Sequence, residues 1–324
     1  FDFESEKSRG ECLMLFCGID TSNYTTSAAL CDRDGKIIAN IKRPLPVSEG
    51  ERGLRQSDAV FAHIKNFPEV MSELAQKINQ EVCAVGVSAK PRDLADSYMP
   101  CFLSGVAAAE AFAAGSKAPL YKFSHQQGHI MAAYATSGAK GNDFLAFHIS
   151  GGTTELLKVT LKETEFNVSL LGGTADLNAG QAVDRIGVKL GFRFPCGCEM
   201  EKAASRFTGV VPPAKISVKD LECNLSGLEN NAERLISKGA STDEICAYTF
   251  AFLAKTFSRL AINARERLGE LPIVWAGGVM SNKIIQNELA KLGGCYFTEP
   301  QYSADNAVGT ALLARKKYLT ENGL

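Results

Sequence analysis

The stretch Phe144 to Val159, FLAFHISGGTTELLKV, decides the reading of the chain. An apolar run leads into Ser150-Gly151-Gly152-Thr153-Thr154 and a second apolar run follows, the pattern of strand, tight turn, strand. Glycine tolerates positive φ and carries no side chain, so the turn's N–H groups and hydroxyls could approach a phosphate; alternatively the hairpin simply turns. The same grammar returns at Leu13 to Leu30, LMLFCGIDTSNYTTSAAL. Two such hairpins in one chain point to a duplicated unit.

Outward from these hairpins the two halves run in parallel. In the first, strands are expected at 13–20, 25–31 and 36–41, a loop at 42–58, a helix at 59–80 interrupted at Pro68, a strand at 82–88, a loop at 90–96 and an Ala-rich helix at 102–114. In the second, strands are expected at 144–149, 154–160 and 165–171, then a helical region from Gln181, a strand at 273–276 and a helix after Asn282. An amphipathic helix at 243–268 places Ile245, Tyr248, Phe252, Leu253, Phe257 and Leu260 on one stripe and reads as core. A final helix, 305–319, starts at Asp305.

Composition bounds the function. The 324 residues are 45% hydrophobic and carry a formal charge of -1, enough for two lobes with ordinary cores and without a global basic field for nucleic acid. Ten cysteines are scattered through apolar segments, which suits reduced thiols in the cytoplasm. Cys196 and Cys198 form only a C-x-C pair, too little for a zinc site. The acidic start FDFESEKSRGE does not read as a signal peptide, and no uninterrupted apolar run reaches membrane-spanning length, so no membrane role is expected.

Several residues have the chemistry of a site. His125 and His129, in HQQGH, share one helical face one turn apart, suited to joint metal ligation or simply to a helix start. A carboxylate would complete a facial set with open positions, and Asp305 is a candidate whose bland reading is an N-cap. Asp184, on the helix after Gly180, could accept from a ribose hydroxyl or simply favour the positive helix N-terminus. Trp275-Ala276-Gly277-Gly278-Val279-Met280-Ser281-Asn282 reads as strand, double glycine and helix start, bringing backbone near a nucleotide. Lys90, Arg92, Arg52 and Arg55 read either as a phosphate-binding rim or as solvated charges.

Taken in order, these motifs resemble the actin, sugar kinase and heat-shock ATPase superfamily, and within it the TsaD-like family, formerly called O-sialoglycoprotein endopeptidases. The carrying residues are HQQGH, ISGGTTELL, AGQAVDRIGVKLG, CNLSGLE, AGGVMSN and SADNA. The resemblance implies an α/β, duplicated actin-like (ribonuclease H-like) fold. It has two lobes and a central ligand cleft, with lobes at 12–142 and 143–304 and the helix 305–324 packing back on the first. It implies one divalent metal ion, iron or zinc, on His125, His129 and Asp305, and a catalytic acid at Asp20. ATP or an acyl-adenylate would lie on Ile149, Ser150, Gly151, Gly152, Thr153, Asp184, Gly197, Gly277, Gly278 and Asn282. The implied reaction moves a threonylcarbamoyl group from its adenylate to adenine N6 of tRNA beside the anticodon, with partner proteins of that system.

Some positions depart from the family. GIDTSNYTT has Tyr24 and Thr25 where the family carries two acids, Ser88 to Leu94 replaces its TxGPGL turn, Arg52 to Asp58 its YGGVVPE segment, and Pro195-Cys196-Gly197-Cys198 its PGGP. Two other functions fit such a chain: carbamoyl transfer to another acceptor, and a nucleotide-binding scaffold without turnover. Peptidase chemistry is not expected, because HQQGH lacks the glutamate of HExxH.

Overall fold

The computed structural model describes residues 14–22, 24–46, 54–94, 96–162, 166–303 and 305–324. Cys12, Asn23 and Arg52 lie outside the described residues. Two compact units emerge, Phe1–Met131 with Asp305–Leu324, and Ala132–Ala304.

In the first unit, β1 (Leu15–Asp20), β2 (Thr25–Asp32) and β3 (Ile37–Pro44) form an antiparallel meander. Next come α1 (Gln56–Ala75), β4 (Val82–Lys90), α2 (Cys101–Ser116), β5 (Leu120–Ser124) and α3 (His125–Ser137). The sheet order is β3-β2-β1-β4-β5, with β4 parallel to both β1 and β5. Every residue of β1 is buried, as a strand covered on both faces requires.

In the second unit β6 (Asp143–Ile149), β7 (Thr154–Leu161) and β8 (Phe166–Thr174) form another meander. Then follow α4 (Ala179–Lys189), α5 (Gly197–Arg206), β9 (Ser217–Lys219), β10 (Glu222–Asn224), α6 (Ser226–Ser237) and α7 (Thr242–Leu268). The unit closes with β11 (Ile273–Ala276), the 3₁₀ turn Gly278–Ser281, α8 (Lys283–Ala290), β12 (Cys295–Phe297) and α9 (Pro300–Ser303). Its sheet runs β12-β11-β6-β7-β8-β10-β9. With β9 and β10 removed, the order and the directions repeat those of the first sheet, so the hairpin echo reflects a duplicated topology.

The remaining helix, α10 (Val308–Glu321), belongs to the first unit and lies against β1 and β4. It packs where those strands have no side chain. A Cβ on Gly18 would lie 2.5 Å from the Ala311 nitrogen and on top of the Ala307 carbonyl oxygen. A Cβ on Gly86 would lie 2.5 Å from the Thr310 carbonyl oxygen, and one on Gly128 of α3 would reach Thr310 Oγ1 at 3.0 Å. Two strand glycines therefore set how near the helix can come.

Two expectations are corrected. Pro68 does not interrupt α1, which runs unbroken through it; the carbonyl the ring frees belongs to Ile64, which is 55% exposed, and water can satisfy it. The last helix begins at Val308, so Asp305 stands in the turn before it and is not its cap; Asn306 Oδ1 accepts from the Val308 N–H at 3.0 Å instead. By length and composition α7 could cross a membrane, but Lys255 and Arg259 interrupt its apolar residues and it is mostly buried in the second core, against Trp275 among others. The short strands β5, β9, β10 and β12 were absent from the sequence pattern because three to five residues carry too little periodicity.

These packings predict opposite outcomes for two glycine substitutions. Gly86→Ala should destabilise by about 2 kcal/mol or more, the cost of overpacking against backbone. Gly115→Ala, whose Cβ meets nothing within 4 Å on a helix, should stabilise by about 0.5 kcal/mol through helix propensity. Urea denaturation of each variant checks both signs.

Candidate functional site

In the first unit, three side chains converge where β1, α3 and the turn before α10 meet. His129 Nε2 lies 3.2 Å from Asp305 Oδ1, and His125 Nε2 lies 3.6 Å from the same oxygen. One ligating atom from each residue falls within 4.8 Å of the others. α3 supplies the imidazoles at i and i+4, hence their shared face, with ring centroids 4.2 Å apart. Asp305 reaches them because α10 can approach the glycines of β1 and β4.

Asp20, at the end of β1, is 1% exposed and has neither oxygen free. Its Oδ1 accepts from the Ser22 N–H at 2.8 Å and from the Ser22 hydroxyl, and its Oδ2 lies 2.9 Å from His125 Nδ1. Burial pushes the Asp20 pKa up, but the charge and hydrogen bond of His125, with Ser22 and Ser88, outweigh it and hold the carboxyl well below the usual range. At His125 burial lowers the pKa, and Asp20, its hydrogen bond and Asp305 more than reverse that. With an ionised Asp20 accepting from Nδ1, the neutral imidazole carries its lone pair on Nε2, the nitrogen that faces Asp305.

This donor set fits a divalent transition metal. Around an ion with bonds of about 2.1 Å, neighbouring ligand atoms stand roughly 3.0–3.5 Å apart, close to the separations seen. Two imidazoles and one carboxylate leave positions open for a substrate. Cys196 and Cys198 offer no second centre: Cys196 is buried and Cys198 exposed, and burial followed by the charges of Asp184 and Glu199 pushes the Cys196 thiol up to about 11.

In the second unit, the β6–β7 hairpin ends in Ser150–Thr153, closed by the Ser150 N–H donating to the Thr153 carbonyl at 2.7 Å. Gly151 and Gly152 are exposed, neither has positive φ, and a Cβ on either would meet nothing within 4 Å. Their need is not conformational, as the sequence suggested; what glycine achieves here is an open backbone face. The start of α4 seats on this tip. Gly180 N–H donates to the Ser150 carbonyl at 3.1 Å, Ala179 N–H donates to Thr154 Oγ1 at 2.9 Å, and a Cβ on Gly180 would lie 2.7 Å from the Gly151 nitrogen.

Gly277, at φ 96°, sits against the Ile149 backbone so closely that a Cβ would strike its carbonyl oxygen. Positive φ and close approach both demand glycine there. The hairpin, the start of α4 and the double-glycine turn are thus joined in one corner of the second unit. Gly278 stands open, as does Gly197 at the start of α5. Asn282 caps α8, its Oδ1 accepting from the Ile285 N–H at 2.9 Å, so its side-chain oxygen is already spent. Asp184 lies mid-helix, half-buried, with Oδ1 accepting from the Cys196 N–H at 2.8 Å; burial raises its pKa.

Sequence reading missed the residues that hold these groups. Ser22 and Ser88 brace Asp20, and Thr21 ties the first turn to α2 by donating to the Cys101 carbonyl at 3.0 Å. Only Ser22 left a local signal, a serine two residues after a strand-ending aspartate. Asp176, between β8 and α4, accepts from the N–H groups of Leu177, Leu225 and Ser226 and so ties the entrance of α4 to that of α6. Of the candidate phosphate rim, Lys90 pairs with Asp93 at 2.7 Å, and Arg52 lies outside the described residues.

A model of the TsaD family, described as tRNA N6-adenosine threonylcarbamoyltransferase, matches residues 37–312. Curated proteins of that name resemble the chain along almost its whole length. The one from Riemerella anatipestifer is 27% identical, covering 94% of this chain and 93% of that protein. One from Thermus thermophilus is 29% identical over the same shares. Solved structures agree in fold at much lower identity. Full-length HypF in its phosphate- and nucleotide-bound form aligns at TM-score 0.59 and 12% identity, covering 96% of this chain and 46% of that one. Component A of the Acidaminococcus fermentans (R)-2-hydroxyglutaryl-CoA dehydratase aligns at 0.54 and 17%, covering 94% and 99%. The fold is the two-lobed actin-like α/β fold.

Asp176 gives a pH test of the second unit. Burial raises its pKa, but hydrogen bonds from Ser226, Leu225 and Leu177 outweigh that and hold it at about 2. A depressed folded pKa stabilises above the unfolded value of about 3.9 and the benefit is lost as pH falls toward 2. Asp176→Asn should therefore melt lower than wild type at pH 6, and the gap should shrink as pH falls below 4 in thermal scans of both proteins.

Proposed function

This chain belongs to the TsaD family of tRNA N6-adenosine threonylcarbamoyltransferases, and we propose that it transfers a threonylcarbamoyl group from threonylcarbamoyl-adenylate to adenine N6 of a tRNA, beside the anticodon. As a family member it is a transferase. The observation that carries the finer reading is the His125, His129 and Asp305 set with Asp20 behind it, built on a fold that also keeps an open glycine face at Gly151 and Gly152.

In this reading Ile149 to Thr153, Gly277 and Gly278 bring bare backbone to the phosphate of the adenylate. Gly197 leaves room at the start of α5, and Asp184 and Asn282 border the nucleoside through whatever hydrogen-bonding capacity their structural bonds leave. His125, His129 and Asp305 would hold one divalent ion, iron or zinc, which when bound supplies Lewis-acid polarisation of an acyl or phosphate oxygen. The N6 nitrogen forms the new bond to the carbamoyl carbon, the bond from that carbon to the adenylate oxygen breaks, AMP leaves, and N6 loses a proton.

Asp20 is a positioning residue here, since it is buried and both of its oxygens are engaged, one by Ser22 and one by His125. The reaction belongs in the cytoplasm, where a reducing poise suits the free cysteines, and would run with partner proteins of the threonylcarbamoylation system.

The test is incubation of purified chain with ATP, threonine, bicarbonate, a synthase that makes the adenylate and unmodified tRNA, followed by nucleoside mass spectrometry. Threonylcarbamoyladenosine should form with wild type and fall at least 100-fold with His129→Ala. Its absence beside a working control enzyme would reject the reaction and leave carbamoyl transfer to another acceptor or a scaffold role. In the same preparations, Asp20→Asn should weaken divalent-metal affinity roughly 10–100-fold by calorimetry, as losing the partner of a ligand histidine does.

A further inference from the structure

A cleft of about 800 Å3 in the second unit lies between α7 and the segment 213–218 that leads into β9. None of the hairpin or double-glycine residues lines it. Its floor is the outer face of α7, where Lys255, Arg259 and Asn263 recur every fourth residue and so form one stripe, while Phe252, Phe257 and Leu260 face the core. Lys215 supplies a third cation from the opposite wall, and no acidic residue lines the cleft.

Only one of these three cations has a structural partner among the described residues. Lys255 donates to the Ala214 carbonyl at 2.8 Å, which pins the wall to the helix. Arg267, one turn beyond, is neutralised by Asp220 at 3.0 Å, and Asn263 holds the Asp220 carbonyl at 2.6 Å. Glu266 stands with that pair in the adjoining hollow. Arg259 and Lys215 take part in no ion pair or hydrogen bond among the described residues. Lys255 and Arg259 are a like-charge pair at i,i+4, an arrangement unfavourable to the helix itself. A chain of net charge -1 thus concentrates three cations around a concavity at a small cost to its own stability.

We infer that this cleft binds a phosphodiester backbone and is a docking surface for the tRNA on which the proposed transfer acts, so it rests on that reading for the identity of the nucleic acid. Cations on two facing walls can contact successive phosphates of a strand, and such contacts position an RNA without reading its sequence. The exposed Pro213 and the half-buried Ile216 give the cleft an apolar lip against which a ribose or base can rest.

The experiment titrates unmodified tRNA transcript against the full chain by fluorescence anisotropy over a series of KCl concentrations, with Lys215→Gln/Arg259→Gln as the variant. Both side chains are exposed, and equal melting temperatures establish that the variant folds. Two lost phosphate contacts should lower affinity roughly tenfold and reduce the slope of log K against log salt by about 2. Arg259→Lys, which keeps the charge, should hold the wild-type slope. Unchanged affinity and slope in the double variant would overturn the site. So would poly-glutamate binding as tightly as tRNA and losing as much in the variant, which would assign the cleft to an acidic protein segment. Mass spectrometry of parallel reactions of the same proteins and tRNA, supplied with ATP, threonine, bicarbonate and the synthase, separates the two readings. Modified adenosine with an unchanged slope keeps the transfer and removes the cleft; a slope reduced by 2 without modified adenosine keeps the cleft and removes the transfer.

Discussion

The closeness of α10 to β1 and β4 is the constraint on which the first unit's site depends. Gly18 and Gly86 carry no Cβ where one would strike the backbone of Ala307, Thr310 and Ala311, and that contact fixes the turn just before the helix. Asp305 belongs to that turn. Because β1 also ends in Asp20 and α3 carries both histidines, one packing decision brings a carboxylate, two imidazoles and the partner of one of them to the same place. Backbone contact is a stiff way to do this, since a core that is already close-packed cannot yield without moving the helix.

The second unit achieves its geometry by a related device used differently. Gly180 and Gly277 are glycines because the backbone of the hairpin passes where their side chains would be. Gly151 and Gly152 meet no neighbour, so their bareness serves space outside the fold. Packing glycines thus assemble the corner and open glycines leave its surface available, the combination a bound phosphate requires. The two sheets share strand order and direction, but the second is lengthened by β9 and β10 and carries the basic cleft, which the first half does not repeat in its sequence pattern.

Much of this was legible in the chain itself. The strand runs around SGGTT and GIDTS, the i,i+4 histidines and the double glycine at 277–278 are local patterns, and local patterns survive in a sequence. The partnership of Asp20 with His125 was not legible, because residues 105 positions apart reveal their contact only when β1 and α3 are placed. Asp305 was found as a candidate but put on the wrong feature: the pattern...SADNAV suggested a helix start at the aspartate, whereas Asn306 performs the capping three-dimensionally nearer Val308. Pro68 misled for the opposite reason, since an exposed helix face lets water take the carbonyl that proline frees. Lys90 looked available for phosphate until Asp93 was seen beside it, while Lys215 and Arg259, far apart in sequence, gave no cluster to notice.

The central claim is that His125, His129 and Asp305 form one cation site, oriented from behind by Asp20. Anomalous diffraction collected on either side of the metal absorption edge, from crystals of the chain purified with its native metal, tests it most directly. The account predicts a single strong anomalous peak bonded to His125 Nε2, His129 Nε2 and an Asp305 oxygen, with His125 Nδ1 still donating to Asp20. A fully occupied metal bound elsewhere, or a metal-replete crystal in which these three side chains hold nothing, would contradict it.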